Sequence, residues 1–429
     1  MRRILTLVMA VFALSAAAQQ PFPGDSARAL FYGEPYLQYA TPTGVSVMYQ
    51  TTCSVHSWIE LGRDSLHVDT LRQLIGGQEV VHDAEHRIRL ADLQPGATYW
   101  YRVCATQILQ NQSYSKTFGR TERTRFYRFT LPADTVRSFT ALVFNDLHCV
   151  RSVEQAMARL ADSIPHDFVV FNGDCLPEPA DRRQALDAVH ALADAFDAAE
   201  TPCIFLRGNH EIRNAYSSGM LSLFDFGPAG TTYHAFSWGD TRFVLLDCGE
   251  DKPDDTWVYY GLNDFTAFRL DQAAFLADEV RSRAYRRAAR RVLIHHIPLW
   301  FSDAAHDPGG ESAPCRELWA PVLAKAPVDL AINGHTHRFQ FYEEGQYGNL
   351  YPMLIGGGPS LRDAAVVVLE KRGRTLRAKV LDAAGSVLFE RTWVTIQRYA
   401  QAKASNLKQG LNSIIRSLVM FLCSLYERM

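Results

Sequence analysis

The 429-residue sequence has no block of lysine or arginine: 44 basic side chains stand against 46 acidic ones, a formal charge of -2. Without a basic stripe there is no electrostatic footprint for a phosphate backbone, so nucleic acid is set aside as a partner. Internal repeats and low-complexity tracts are also missing, which excludes solenoids and disordered tails as the main architecture. No apolar run is long enough to cross the ~30 Å hydrocarbon core of a bilayer. Cysteine is sparse, eight in all, and the connectivities open to eight thiols are too many for sequence to choose among.

What is present begins at the first residue. "MRRILTLVMAVFALSAAAQQ" carries Arg2 and Arg3, an apolar run from Ile4 to Leu14, and the small residues Ala16, Ala17 and Ala18. This is the pattern of a secretory signal cleaved near Ala18 (residues 1–18), so the mature chain is expected to be exported, whether periplasmic, cell-surface or extracellular. No cysteine marks the cleavage point, and a lipoprotein anchor is not suggested. In an oxidising compartment the thiols can pair; Cys53 and Cys104, both in strand-like segments, form one possible pair.

The length suggests two domains. Over 30–132 the pattern is short alternating strands with turns, as in "GVSVMYQT", "SWIELG" and "LQPGATYWYRVCA", with a Pro-Gly turn at Pro95 and Gly96. That predicts an antiparallel β-sandwich. His56, His67, His82 and His86 are scattered in it and read as ordinary surface residues. From 138 to 395 the grammar changes to apolar strands, polar loops and helices: "FTALVF" before "NDLHC", "DFVVF" before "NGDC", "CIFLR" before "GNHE", then "RRVLIHHIP" and "VDLAING". This predicts an α/β fold, layered α/β/β/α, with its site at the carboxyl ends of the strands. A tail over 400–429, with Leu407, Leu411, Ile414, Ile415, Leu418, Phe421, Leu422 and Leu425, spaces its apolar residues as an amphipathic helix. Docking on the protein is its first reading; membrane-surface contact or dimerisation is the second.

Five loops at strand ends hold Asp146 and His148, Asp174, Asn209 and His210, His295 and His296, and His335 and His337. Carboxylate, amide and imidazole brought to one sheet edge in such number point to metal. Nitrogen and oxygen donors without thiolate suit Mn, Fe or Zn rather than Ca or Mg. The donors exceed one ion's needs, so two ions sharing a carboxylate is the expected arrangement. In an extended segment residues i and i+2 face the same side, which lets His335 and His337, and likewise Asp146 and His148, reach the site together. Cys149 and Cys175 each come directly after a candidate ligand, but their side chains are expected to turn away and be buried.

The ordered set "DLH", "NGD", "GNHE", "HHIP" and "GHTH" resembles the calcineurin-like metallophosphoesterase superfamily over roughly residues 138 to 385. "VSVMYQT" and "LQPGATYWYRV" resemble the fibronectin-like N-terminal domain of purple acid phosphatases. The resemblance implies that Asp146, His148 and His337 bind one ion, that Asp174 bridges, and that Asn209, His335 and His296 bind the second. His296 is chosen over His295 because "HIP" fits the family's pattern and adjacent strand residues face opposite ways. It further implies that His210 contacts phosphate and assists the leaving group, and that His306 in "SDAAHDPG" sits where purple acid phosphatases place a substrate-side histidine. The implied reaction is hydrolysis of phosphate esters by a metal-bridging hydroxide. Purple acid phosphatases place an iron-binding tyrosine three residues after the bridging Asp; Pro177 stands here, so no purple chromophore is expected.

The leading reading is an exported phosphomonoesterase acting on small or macromolecular phosphate esters. The first alternative is a phosphodiesterase or pyrophosphatase acting on nucleotides or phospholipids, for which Tyr216, Tyr233, Trp257 and Tyr259 either stack on a base or simply pack. The second is a surface-binding protein with a vestigial metal site. Arg213, close behind "GNHE", is read equally as a phosphate contact or a solvent-facing side chain.

Overall fold

The computed structural model describes residues 29–394 apart from 82–83, 134, 177 and 302–312. The expected signal segment, the expected C-terminal amphipathic helix, His82 and His306 lie outside the described residues. The chain divides into two compact units. One takes the chain up to Pro132 with Ala180–Cys203 and Ala215–Gly230, and the other takes Ala133–Pro179, Ile204–Asn214 and Thr231 onward. The contiguous 138–395 domain expected from sequence is thus not one compact piece, because two of its segments cluster with the N-terminal residues.

In the first unit β1 (Tyr36–Thr41), β2 (Gly44–Gln50) and β7 (Glu85–Leu90) form an antiparallel set in the order β1-β2-β7. Between them in sequence run β3 (Val55–Gly62), β4 (Val68–Leu71), β5 (Leu74–Ile75) and β6 (Gln78–Glu79), and after them β8 (Thr98–Gln112), β9 (Ser115–Arg123) and β10 (Tyr127–Thr130). A second antiparallel sheet has the order β10-β8-β3-β4, with β9 on β8, and β5 pairs with β6. The alternation seen in "VHSWIELG" is a pleat with one face inward: β3 buries Val55, Ser57, Ile59 and Leu61. The Tyr49 hydroxyl of β2 donates to Ser57 Oγ of β3 at 2.7 Å, joining the sheets.

His86 is not a surface residue. It is 2% exposed, stacked on Tyr49 at 4.7 Å between centroids, with Nε2 3.1 Å from Thr51 Oγ1. The ring fills apolar space while its nitrogens find hydroxyl partners, the condition for burying a polar group cheaply. His56 pairs with Glu79, and His67 is exposed beside Asp64. Cys53 and Cys104 are free thiols. Cys104 lies opposite Trp58, five residues along from Cys53; at ~3.3 Å per residue that spacing is well beyond the ~7 Å Cα limit for a disulfide.

The second unit contains two sheets. The first has the order β22-β21-β20-β11-β12-β13 and the second the order β14-β15-β16-β17-β19-β18. The strands are β11 (Ser138–Phe144), β12 (Phe168–Asn172), β13 (Cys203–Leu206), β14 (His234–Trp238), β15 (Thr241–Leu245), β16 (Arg290–Ile294), β17 (Leu330–Asn333), β18 (Gln340–Tyr342), β19 (Met353–Ile355), β20 (Ala365–Arg372), β21 (Thr375–Asp382) and β22 (Val387–Val394). β11 and β12 run parallel, as do β15, β16, β17 and β19. Parallel strands buried on both faces read as continuous apolar runs, which is what "FTALVF", "FVVF" and "RRVLI" are.

Phe168 and Phe139 of the first sheet meet Trp238, Phe236 and Phe243 of the second, with Phe168 to Trp238 at 4.3 Å between centroids. These aromatics make the core between the sheets. The outer face of the second sheet carries helices Phe265–Glu279 and Ala313–Leu323, whose Leu276, Trp319 and Leu323 join Val244, Leu293 and Ala331 in one cluster. Helix Arg151–Asp162 buries Val153, Met157 and Ala161, one stripe at i, i+4, i+8, and its Leu160 lies under the β21–β22 turn at Gly385. The layering is α/β/β/α, and the carboxyl ends of β11, β12, β16 and β17 converge on one edge.

Candidate metal centre

Each of these strands leads at once into the residues singled out in the sequence. The ends are tied together by the backbone and by buried amides. Asn172 Nδ2 donates to Asn145 Oδ1 at 2.7 Å, and Gly334 N donates to the His296 carbonyl at 2.9 Å. Asp146, His148, Cys149, Asp174, His335 and His337 all have φ between 49° and 75°. Left-handed backbone costs a non-glycine residue on the order of 1 kcal/mol or more, and concentrations of it mark functional sites. This corrects the pleat argument made from sequence. His335 and His337, and Asp146 and His148, reach the same side through left-handed turns rather than through an extended strand.

Two groups of candidate metal ligands result. Asp146, His148, Asp174 and His337 present donor atoms all within 4.8 Å of one another, as do Asp174, His296 and His335, and Asp174 belongs to both. Asn209 Oδ1 lies 3.1 Å from His335 Nδ1, adding an amide oxygen to the second set. His296 is fully buried; its Nδ1–H donates to the Asn172 carbonyl at 2.9 Å, which leaves Nε2 facing Asp174 Oδ2, 3.1 Å away. Such an outer hydrogen bond fixes the tautomer of a ligating imidazole. His295 turns the other way, with Nδ1 2.8 Å from the Ile297 carbonyl and its ring edge-on to Trp319 in the core.

The donor set fits a pair of first-row cations, on an observation internal to the site. Asp146 Oδ1 is buried without a hydrogen-bond partner, and buried polar atoms left so are rare and costly; His296 Nε2, equally buried, faces carboxylate oxygens, Asp174 Oδ2 at 3.1 Å and Asp146 Oδ1 at 3.7 Å. Both point into the space shared by the two sets. Thiolate ligation is excluded for the neighbouring cysteines: Cys175 Sγ turns to the Gly173 carbonyl at 3.4 Å and Cys149 Sγ to the Cys175 carbonyl. Cys175 is fully buried as expected, Cys149 half-buried.

Charge in the ion-free site is set by burial and proximity. Burial pushes the Asp146 carboxyl up, reinforced by the Asp174 charge. Burial would raise Asp174 too, but His296 and the His210 backbone N–H hold it below the usual carboxylate range. Burial favours a neutral His296, yet Asp174 and Asp146 outweigh it and lift the imidazole to about 10. His148, desolvated, falls to about 4. A proton on His296 therefore compensates the two carboxylates where cations would otherwise do so.

Several supporting residues were not legible in the sequence. Glu211, fully buried, accepts from the backbone N–H of Asp174, Leu176 and Gly208 at 2.7–2.9 Å and so pins two loops. Its place in the quoted "GNHE" was the only signal. Glu178 Oε1 lies 3.0 Å from His210 Nδ1, leaving His210 Nε2 on the side of Asp174 Oδ2, 3.9 Å away. Arg213 is not a solvent-facing side chain: Glu250 takes it in a fork at 2.8 and 3.0 Å, and Asp251 adds contacts at 3.2 and 3.3 Å. Of the loop aromatics, Tyr233 packs on Phe268 and Phe275, whereas Trp257 is 77% exposed.

The class that this fold and site define is matched independently. Residues 139–339 match the model of the calcineurin-like phosphoesterase family. Its relatives include purple acid phosphatase 21 of Arabidopsis thaliana, 23% identical over 263 residues covering 60% of this chain and 53% of that one. The chain thus spans about half the length of that curated relative. Among solved structures, a purple acid phosphatase, PPD1, from yellow lupin (Lupinus luteus) seeds has a TM-score of 0.62 at 15% identity, over 84% of this chain and 74% of that one. The structure of PhoD has a TM-score of 0.58 at 11% identity, over 90% and 99%. At these identities the two structures establish a shared fold.

Proposed function

We propose that the protein is an exported phosphomonoesterase that works with two metal ions, Mn, Fe or Zn. The observation that carries this is the pair of candidate ligand groups sharing Asp174, with Asp146 Oδ1 buried and unpartnered between them and His296 Nε2 facing the two carboxylates. Asp146, His148 and His337 would hold one ion and Asn209, His296 and His335 the other, with Asp174 available to both. When bound, such ions polarise phosphoryl oxygens and make water acidic enough to supply hydroxide near neutral pH.

The chain's own residues do the rest. Glu211 and the Asn172 carbonyl fix the loops and the His296 tautomer, so the donors meet the substrate already oriented. His210 keeps Nδ1–H on Glu178 and offers a proton from Nε2 to the departing alcohol oxygen. General acid assistance of that kind is typically worth ~10²- to 10⁴-fold. His337, exposed, marks the open side through which a phosphate ester enters.

A specific observation keeps a second reading in view. Trp257 and Tyr260 are 77% and 80% exposed on the segment just after Glu250 and Asp251, and an exposed aromatic can stack on a nucleotide base. That favours a diesterase or pyrophosphatase acting on nucleotides. The test compares p-nitrophenyl phosphate with bis-p-nitrophenyl phosphate on protein reconstituted with Mn, Zn or Fe, with Asp174→Asn and His210→Ala alongside. Monoester turnover abolished by Asp174→Asn and reduced by His210→Ala supports the monoesterase. Preference for the diester moves the assignment to the second reading, and no metal-dependent turnover of either removes both.

A further inference from the structure

We infer that Asp251 is a positioning residue for the metal centre: it holds the Asn209 side chain so that the amide oxygen, not the amide nitrogen, faces the ion. Asn209 is 2% exposed and its two ends are chemically opposite, a hydrogen-bond acceptor and a donor. Only Oδ1 can ligate. Nothing in the asparagine itself chooses between the orientations, because the amide flips about χ2 at little steric cost. The neighbours choose. His335 Nδ1 lies 3.1 Å from Oδ1 on one side, and Asp251 Oδ2 accepts from Nδ2 at 3.3 Å on the other.

Asp251 suits the task because it is fixed itself. It is 8% exposed; its Oδ1 receives Lys252 Nζ and, at 3.2 Å, Arg213 Nη2, while its backbone N–H donates to Glu250 Oε1 at 3.0 Å. Arg213 is in turn gripped by Glu250. Asp251 Oδ2 accepts from Nδ2, and a flipped amide would set Oδ1 against that carboxylate oxygen, so the contact disfavours the flip. The network Glu250, Arg213, Lys252 and Asp251 therefore works through Asn209 without touching the ion. Outer partners of this kind typically govern metal affinity by ~10- to 100-fold.

The inference rests on Asn209 being a ligand, and the experiment separates the two. Chelator-stripped wild type, Asn209→Ala, Asp251→Ala and the double variant are titrated calorimetrically with Mn2+ alone, with bound metal counted by elemental analysis. Asp251→Ala is expected to weaken one of the two binding events by roughly 10- to 100-fold, to spare the other, and to cost nothing further in the Asn209→Ala background. Asp251→Asn, whose single oxygen would go to Arg213 and Lys252 and turn its NH2 towards Asn209, is expected to weaken the same binding event, whereas Asp251→Glu, which keeps two acceptor oxygens, is expected to recover part of the affinity. Should the alanine variant not fold, Asp251→Ser is titrated under the same two criteria. Two wild-type binding events in Asp251→Ala, or its full cost persisting without Asn209, overturn the inference. Wild-type binding by Asn209→Ala overturns the ligand reading beneath it.

Discussion

Gly208 gives the sharpest test of how Asp174, the carboxylate common to both candidate ligand groups, is held. Its φ is in the ordinary negative range, so replacing it with alanine introduces no backbone strain; the perturbation is one methyl group. Built on this backbone, that Cβ lies 2.2 Å from Asp174 Oδ1, 2.6 Å from the Asp174 amide nitrogen and 2.8 Å from Asp174 Cγ. Relief requires a separation near 3.4 Å, a displacement of about 1 Å, and part of the obstacle is backbone that cannot rotate away. Asp174 is also tethered, accepting from His210 N at 2.9 Å and donating to Glu211 at 2.9 Å. Overpacking of this kind costs about 1–3 kcal/mol of stability. A catalytic group misplaced by ~1 Å costs ~10²-fold in rate, and metal distances tolerate only ~0.2 Å. Gly208→Ala is therefore expected to remain folded with a lowered melting temperature, to bind substoichiometric metal by elemental analysis, and to lose at least ~10²-fold in p-nitrophenyl phosphate hydrolysis. Two bound ions and wild-type turnover would refute the reasoning, because they would mean that the Asp174 loop moves freely.

The ion-free protein should show a stability maximum near neutral pH. A histidine raised to about 10, as His296 is, stabilises the fold fully below its unfolded value of ~6.5 and loses that contribution as pH rises towards 10; His148, lowered to about 4, loses its contribution as pH falls below ~6.5. Urea midpoints of stripped protein across this range measure it, and a midpoint still rising between about pH 7 and 10 would contradict it. Phe168→Ala, at a fully buried ring 4.3 Å from Trp238 and 5.6 Å from Phe243, should destabilise by about 3–5 kcal/mol in urea unfolding, and a cost under ~1.5 kcal/mol would mean that the two sheets close over the cavity. Iron-reconstituted protein should lack a visible tyrosinate charge-transfer band, since Pro177 stands after Asp174 where a tyrosine would be needed; a purple solution would show that another tyrosine ligates.

The ligand types were legible because chemistry restricts them. Asp146, Asp174 and four histidines, His148, His296, His335 and His337, stand just behind apolar runs that form strands, and parallel strands deliver the loops at their carboxyl ends to one edge. The groups that hold those ligands were not legible. Glu211, Asp251, Asn145 and Glu178 act at contacts spanning 27 to 42 residues in the chain, or through backbone N–H groups, and neither relation leaves a periodicity. His295 and His296 turn to opposite sides, as alternation along a strand requires: the His295 ring meets Trp319 and His296 Nε2 faces Asp174. The argument for His335 and His337 does not carry over, because the backbone there is left-handed. Likewise the surroundings of His86 in sequence suggest exposure, whereas its burial depends on Tyr49 of the neighbouring strand.

By itself, then, the sequence determined the alternation of strands and helices, the two sheet grammars and the identity of the donor atoms. Those come from side-chain period and ligand chemistry, which are local. Only the tertiary structure decided which carboxylate belongs to both ligand sets, which imidazole nitrogen is free, which way the Asn209 amide points, and that Ala180–Cys203 and Ala215–Gly230 cluster with the N-terminal sheets. Those depend on which distant groups compete for each hydrogen bond and each buried charge, and that competition exists only once the chain is folded.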